Sequence, residues 1–158
     1  MTTPPALAAL LFHGAIFDFF YAWICSTIWG LNTLPAGSAI DTMMAMNASV
    51  RNAVFAPIFF ATPLVSVAAG LSLWGSQPAW WFCAAAAIYI VGAMVPTMLV
   101  NVPMNEALAA LTPEQIAADA EGWWSAYADR WQRWNIARCA MSGAALLCVG
   151  MGLVGLQR

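Results

Sequence analysis

The strongest polar side chains of this 158-residue chain fall in a few short stretches: Asn47 to Asn52, Asn101-Val102-Pro103-Met104-Asn105, and Trp131 to Arg138. A buried Arg or Asn is expensive in lipid and normally faces a bundle interior or a cavity, so this clustering points to a site. In such a site asparagine N–H groups donate to ligand oxygens, arginine offsets negative charge, and tryptophan covers a ring face. Trp131, Trp134, Asn135, Arg138 and Ser142 recur at i, i+3, i+4, i+7 and i+11, which is one face of a helix. Asn101 and Asn105 share a face if their helix continues, and Asn47 and Arg51 are likewise one turn apart. Asp18 is the only acid deep in an apolar segment. Its carboxylate must be paired, protonated or in a wet cavity, so it is either a base or the structural partner of an arginine. Arg138 cannot shed its charge and needs an acceptor: a ligand, Asp18, or a carbonyl freed by proline.

The elements that position these residues are membrane spans. The chain is 63% hydrophobic and 8% charged, against about 25% charged in a soluble domain. Four apolar segments, about 6–31, 47–74, 79–101 and 130–156, each reach the roughly 20 residues that a bilayer requires. They fill most of the length, so a single domain over 1–158 is expected: an all-α, integral membrane, antiparallel four-helix bundle. Gly75 to Pro78 form a tight turn. The longer connections, Asn32–Met46 and Val102–Asp129, share the opposite side, where the polar residues also gather. Thr112-Pro113-Glu114-Gln115 reads as a helix start, with a Thr cap, Pro at the first position and acid in the first turn. It predicts a short interfacial helix between spans three and four, with Trp123, Trp124 and Tyr127 at headgroup depth. Arg51, Arg130 and Arg133 flank the long connections and only Arg158 the other side, which by the positive-inside rule puts the long connections in the cytoplasm. A bacterial plasma membrane is the expected location.

Other features are read as architecture. Cys83 to Ala87 with Gly92, and Ser142 to Ala145 with Gly150 and Gly152, are packing seams of small residues. Cys25, Cys83, Cys139 and Cys148 form no C-x-x-C pair and read as small buried hydrophobes. His13 reads as a satisfied helix-end histidine, and no metal site is expected. Met43, Met44 and Met46 lack matching His or Cys and read as flexible packing rather than a copper site. There is no lysine and the net charge is −2, so nucleic-acid binding is excluded. The first segment lacks a basic flank and is expected to be a span rather than a cleaved signal. Pro96 and Pro103 free the carbonyls of Gly92 and Leu99, and such irregular backbone is tolerated where it lines a cavity.

The stretches Asn101-Val102-Pro103-Met104-Asn105 and Trp131-Gln132-Arg133-Trp134-Asn135-Ile136-Ala137-Arg138 resemble the anthrone oxygenase-like family of small four-span membrane proteins. Tyr21-Ala22-Trp23, Trp29-Gly30-Leu31 and Met46 to Phe55 are also similar to it. The resemblance implies oxidation of polyketide anthrones to anthraquinones by dioxygen, without metal or flavin. It also implies that Asn101, Asn105, Trp134, Asn135 and Arg138 occupy signature positions. Many relatives carry histidine directly after the asparagine matched by Asn135, where this chain has Ile136. If that histidine is the catalytic base, this chain cannot use it.

Two functions are expected. In the first, the protein is a cofactor-independent oxygenase of a lipophilic phenol. Asp18 is the base, and Arg138 with Asn135 stabilises the enolate. Asn101, Asn105, Asn47 and Arg51 bind oxygens, and Trp131 and Trp134 stack on the rings. In the second, it is a non-catalytic membrane subunit or a lipid- or quinone-binding module. Expected partners are lipids, a lipophilic aromatic ligand, and further copies or a larger membrane complex.

Overall fold

The computed structural model describes residues 4–157; Arg158, used above for orientation, lies outside them. Among the described residues there is no strand. Helix α1 (Pro4–Ala22) passes through a π-helical turn (Trp23–Thr27) into α2 (Ile28–Leu31). Helix α3 (Ala36–Ser49) precedes α4 (Phe55–Ser72). Span three joins α5 (Gln77–Tyr89), two π-helical turns (Ile90–Met94 and Thr97–Asn101) and α6 (Val102–Ala109). Helix α7 covers Pro113–Gly155. Four helical stretches are long and apolar enough to cross a membrane: Pro4–Leu31, Phe55–Ser72, Gln77–Ala109 and Pro113–Gly155. The chain is thus an all-α, integral membrane bundle.

Helix α7 is the hub. Of its buried residues, Trp124, Ala128, Trp131, Asn135, Arg138, Ser142, Ala145, Val149 and Gly152 step alternately by four and three, and Tyr127 and Cys139 widen this stripe. That 3.5-residue period is the seam of a left-handed bundle. Small residues bring the other helices close. A Cβ on Gly152 would lie 2.7 Å from the Phe82 ring, and one on Gly92 would lie 2.4 Å from Cβ of Met141. From Ala120 to Gly155 α7 is about 54 Å long at 1.5 Å per residue, well over the roughly 30 Å of hydrocarbon, so it is longer than a span requires and its N-terminal part forms a head. There it packs with α2, α3 and α6 around Ile40, Met43, Leu108, Trp124, Tyr127 and Trp131.

Three expectations about the elements change. Residues 47–74 are not one helix: Asn47 closes α3, and span two begins at Phe55. The break is made by Asn52. Its Oδ1 accepts from the backbone N–H of Val54 (2.8 Å) and Phe55 (3.0 Å), and its Nδ2 donates to the Ser49 carbonyl (2.7 Å), so one side chain caps two helices. Asn32–Met46, read as a connection, is mostly α3. The helix start at Thr112 is present with a reciprocal capping box to Gln115. The short helix that it begins ends at a kink at Asp119 (φ −157°, ψ 60°), beyond which α7 continues as span four. Trp124 and Tyr127 are buried, and only Trp123 of that trio is exposed.

Candidate functional site

A cavity of about 560 Å³ lies where the bundle meets the polar end. Every span reaches it, as does the α3–α4 connection. Asn47, Arg51, Asn101, Asn105, Trp131, Asn135 and Arg138 all line it, although they come from α3, the α3–α4 connection, the second π-helical turn of span three, α6 and α7. Two residues named from sequence do not. Asp18 is exposed on the outer face of α1, because that helix turns Ala6, Ala9, His13, Ile16 and Phe20 inwards. Trp134 is partly buried but lies outside the lining, one step off the 3.5-residue seam.

Arg138 is 6% exposed and faces no carboxylate. Among the described residues the one ion pair is Arg51 with Glu106, at 3.6 Å and on the surface. The guanidinium of Arg138 instead donates to two neutral oxygens, Thr97 Oγ1 (2.8 Å) and Asn135 Oδ1. Each is held in place. Thr97 donates its hydroxyl proton to the Ala93 carbonyl (2.7 Å), which leaves its lone pairs to the arginine. Asn135 donates to the Trp131 carbonyl (3.1 Å), which turns its oxygen to the arginine. The Phe20 ring lies 4.6 Å from the guanidinium carbon, in cation–π contact. Arg138 Nε has no partner among the described residues. Neither has either amide atom of Asn101, which is 2% exposed. A buried carboxamide without partners forfeits about 1–3 kcal/mol per group, so both amide atoms of Asn101 are free to bond a molecule or water in the cavity.

Asn47, Asn105 and Tyr127 are bonded to one another, whereas Gln132 Oε1 and Ser142 Oγ have no partner among the described residues. Tyr127 donates to Asn105 Oδ1 (2.8 Å) and accepts from Asn47 Nδ2 (3.2 Å). This ties α3, α6 and α7 into one wall. The π-helical turns aim the rest. Pro96 lacks an N–H, and the local register moves to i→i+5, with Val95 N bonding to Ile90 O. The second turn repeats this, with Val102 N on Thr97 O, and brings Asn101 inwards. In span one, the π turn at Trp23 leaves the Ile24 carbonyl to Gln132 Nε2 (2.9 Å) and places the Trp23 ring 5.3 Å from that of Trp131. Phe19, Phe55 and Phe59 complete an aromatic wall.

A sequence model of the anthrone oxygenase family matches residues 43–148, two thirds of the chain, including the α7 face and the Asn101–Asn105 stretch that line the cavity. The chain belongs to the anthrone oxygenase family. No curated protein and no solved structure matches it. Within this anthrone oxygenase family member, Ile136 is half exposed and lies outside the cavity lining. Isoleucine at that position therefore removes nothing from the cavity. The cavity lining contains no carboxylate and no imidazole, and no three His, Cys, Asp or Glu side chains converge among the described residues.

Thr97, Phe20 and Trp23 line the cavity but were not singled out from sequence; Tyr127, which bonds the lining residues Asn47 and Asn105, was expected instead at headgroup depth. Thr97 lies one residue after Pro96, and that proximity to a freed carbonyl was the available signal. His13 is not at a helix end. It is fully buried in mid-span with Nε2 2.8 Å from Ser66 Oγ, and its ring meets the edge of Tyr89. Cys25 is exposed, whereas Cys139 is buried.

Proposed function

We propose that this protein is an oxygenase of a lipophilic anthrone-type phenol, and that Arg138 drives the reaction by stabilising the ionised substrate. The observation that carries this reading is a buried guanidinium with no counter-charge, beside an unpartnered Asn101, in an aromatic-walled cavity. Such a site favours a planar anion over its neutral form. A fixed charge in a water-poor site is worth far more than the same charge in water.

The chemistry balances with dioxygen as oxidant. Loss of a proton from the carbon opposite the carbonyl of an anthrone gives a carbanion whose charge is shared with the ring oxygen. Arg138 and the Asn101 amide face that oxygen. The carbanion donates electrons to dioxygen, forms a carbon–oxygen bond and, once protonated, is a hydroperoxide. Removal of the remaining hydrogen on that carbon breaks the O–O bond and releases water, leaving a second carbonyl. One oxygen atom enters the product and the other leaves as water. Asp18 has no part in this, because it faces away from the cavity. Arg138 lowers the proton affinity of the bound substrate, and water entering at the Arg51 end, where Arg51, Asn52 and Ala53 are exposed, accepts the proton and carries it to bulk solvent.

The lack of a carboxylate or imidazole in the lining also favours a second reading, a quinone-binding module without turnover. Oxygen uptake and anthraquinone formation in proteoliposomes separate the two. The oxygenase reading expects turnover that falls about 100- to 1,000-fold in Arg138→Ala, the range for loss of an oxyanion stabiliser. Tight anthrone binding without turnover in the wild type would establish the module.

A further inference from the structure

We infer that the cavity opens sideways into the bilayer between α4 and the π-helical part of span three, and that its substrates are membrane-dissolved phenols carrying an alkyl or isoprenoid chain that lies in this gap. The inference rests on the reading of the cavity as a site for a lipophilic phenol.

The gap follows from how span three is built. Its first half, α5, packs along α4, and the hydroxyl of Tyr89 donates to the Phe59 carbonyl (3.0 Å), which Pro63 leaves without its helical donor. Beyond Tyr89 the span keeps its packing on α7, which α5 also has, and loses most of its packing on α4. Gly92 lets it press onto Met141 of α7, and Arg138 draws Thr97 in the same direction. Both π-helical turns lie in this second half. The span therefore leans onto α7 and away from α4. On the two sides of the resulting gap stand Phe60 of α4 and Met98 of span three. Both line the cavity and are 49% and 48% exposed, so each has free surface besides what it buries in the bundle, and the proposed opening lies between them. The outer surface around that opening is apolar, with Leu64 66% and Leu99 72% exposed, which is a lipid-facing surface. The cavity thus has a polar inner end at Arg138 and Asn101 and an apolar outer end on the acyl chains. A chain passing through exchanges lipid contacts for equally apolar ones at little cost.

The test uses the whole protein in proteoliposomes with two probes. The first is a phosphatidylcholine whose acyl chain carries a terminal diazirine; after photolysis, labelled residues are mapped by mass spectrometry. Phe20 and Trp131 line the cavity but are 1% and 2% exposed, so a lipid chain reaches them only by entering. Label is expected on both in the wild type and in the neighbouring outer variant Leu99→Trp, and is lost in Met98→Trp and Phe60→Trp. The second probe is anaerobic binding of anthrone and of a dodecyl-substituted anthrone at equal mole fraction in the bilayer. The two are expected to bind within about threefold of each other in the wild type, since the chain stays in apolar surroundings. Met98→Trp is expected to weaken the dodecyl compound relative to anthrone by about tenfold, the scale of one overpacked contact. Label confined to the outer surface, with anthrone still bound, would overturn the gap and leave the site reading intact. Label on Trp131 without binding of either anthrone would keep the gap and overturn the substrate reading.

Discussion

Arg138 and Asn101 together define what this cavity holds. Arg138 is tied by two neutral acceptors and a ring, which fix its position without cancelling its charge. Asn101 contributes no hydrogen bond to the fold. Asn101→Ala is therefore expected to leave thermal stability unchanged or slightly raised, while weakening anthrone binding about tenfold, equivalent to one lost hydrogen bond to a charged group. A clear drop in melting temperature would show that Asn101 is structural. Asp18→Asn is expected to retain wild-type turnover, because the carboxylate is outside the cavity; loss of turnover in that variant would require another arrangement of α1. The polar face of α7 was legible in the sequence because its 3.5-residue rhythm carries Trp131, Asn135 and Arg138 together. The rotation of α1 was harder, since that helix is apolar all round. His13 was the usable marker: taken as the inward residue, it puts Asp18, five positions on, on the outer side.

At the scale of elements, two local devices shape the site. Asn52 ends α3 and starts α4 with one side chain. Asn52→Ala is expected to cost about 1 kcal/mol or somewhat more, as loss of a helix cap does, read as a lower unfolding midpoint in detergent. This break was missed in the sequence because Asn47 to Trp74 reads as one continuous segment, and a side chain that caps two helices shows no periodicity. Gly92 sets the lean of span three. A Cβ there would meet Cβ of Met141 at 2.4 Å, an atom that cannot move without its backbone. Gly92→Val is expected to destabilise the protein by about 1–3 kcal/mol, the usual cost of overpacking, and to reduce turnover because Thr97 moves with the span. A variant as stable as the wild type would mean that span three tilts freely. Pro96 and Pro103 announced irregular backbone, but not that it would take two π-helical turns.

The whole molecule has a membrane part and a head. The bundle, its four apolar spans and the polar end were legible from hydropathy and from the placing of Asn and Arg. The head was not, because α7 continues through Tyr127 and Asp129, where the apolar pattern lapses and only packing against α3 sustains the helix. The fold places Ser76, in the tight turn, and Ala110, beside the head, at opposite ends of the bundle. A membrane-impermeant thiol reagent is expected to label Ser76→Cys and Ala110→Cys from opposite faces of sealed vesicles, in a background lacking the native cysteines. Labelling of both from one face would refute the four-span topology.

The central claim is that Arg138 ionises the bound substrate, and the most direct measurement is the absorption spectrum of anthrone bound without oxygen. At a pH where free anthrone is neutral, the wild-type complex is expected to show the anthrolate spectrum, and the Arg138→Ala complex the neutral one. A neutral spectrum in the wild type, or an anthrolate spectrum that survives loss of the guanidinium, would contradict the account.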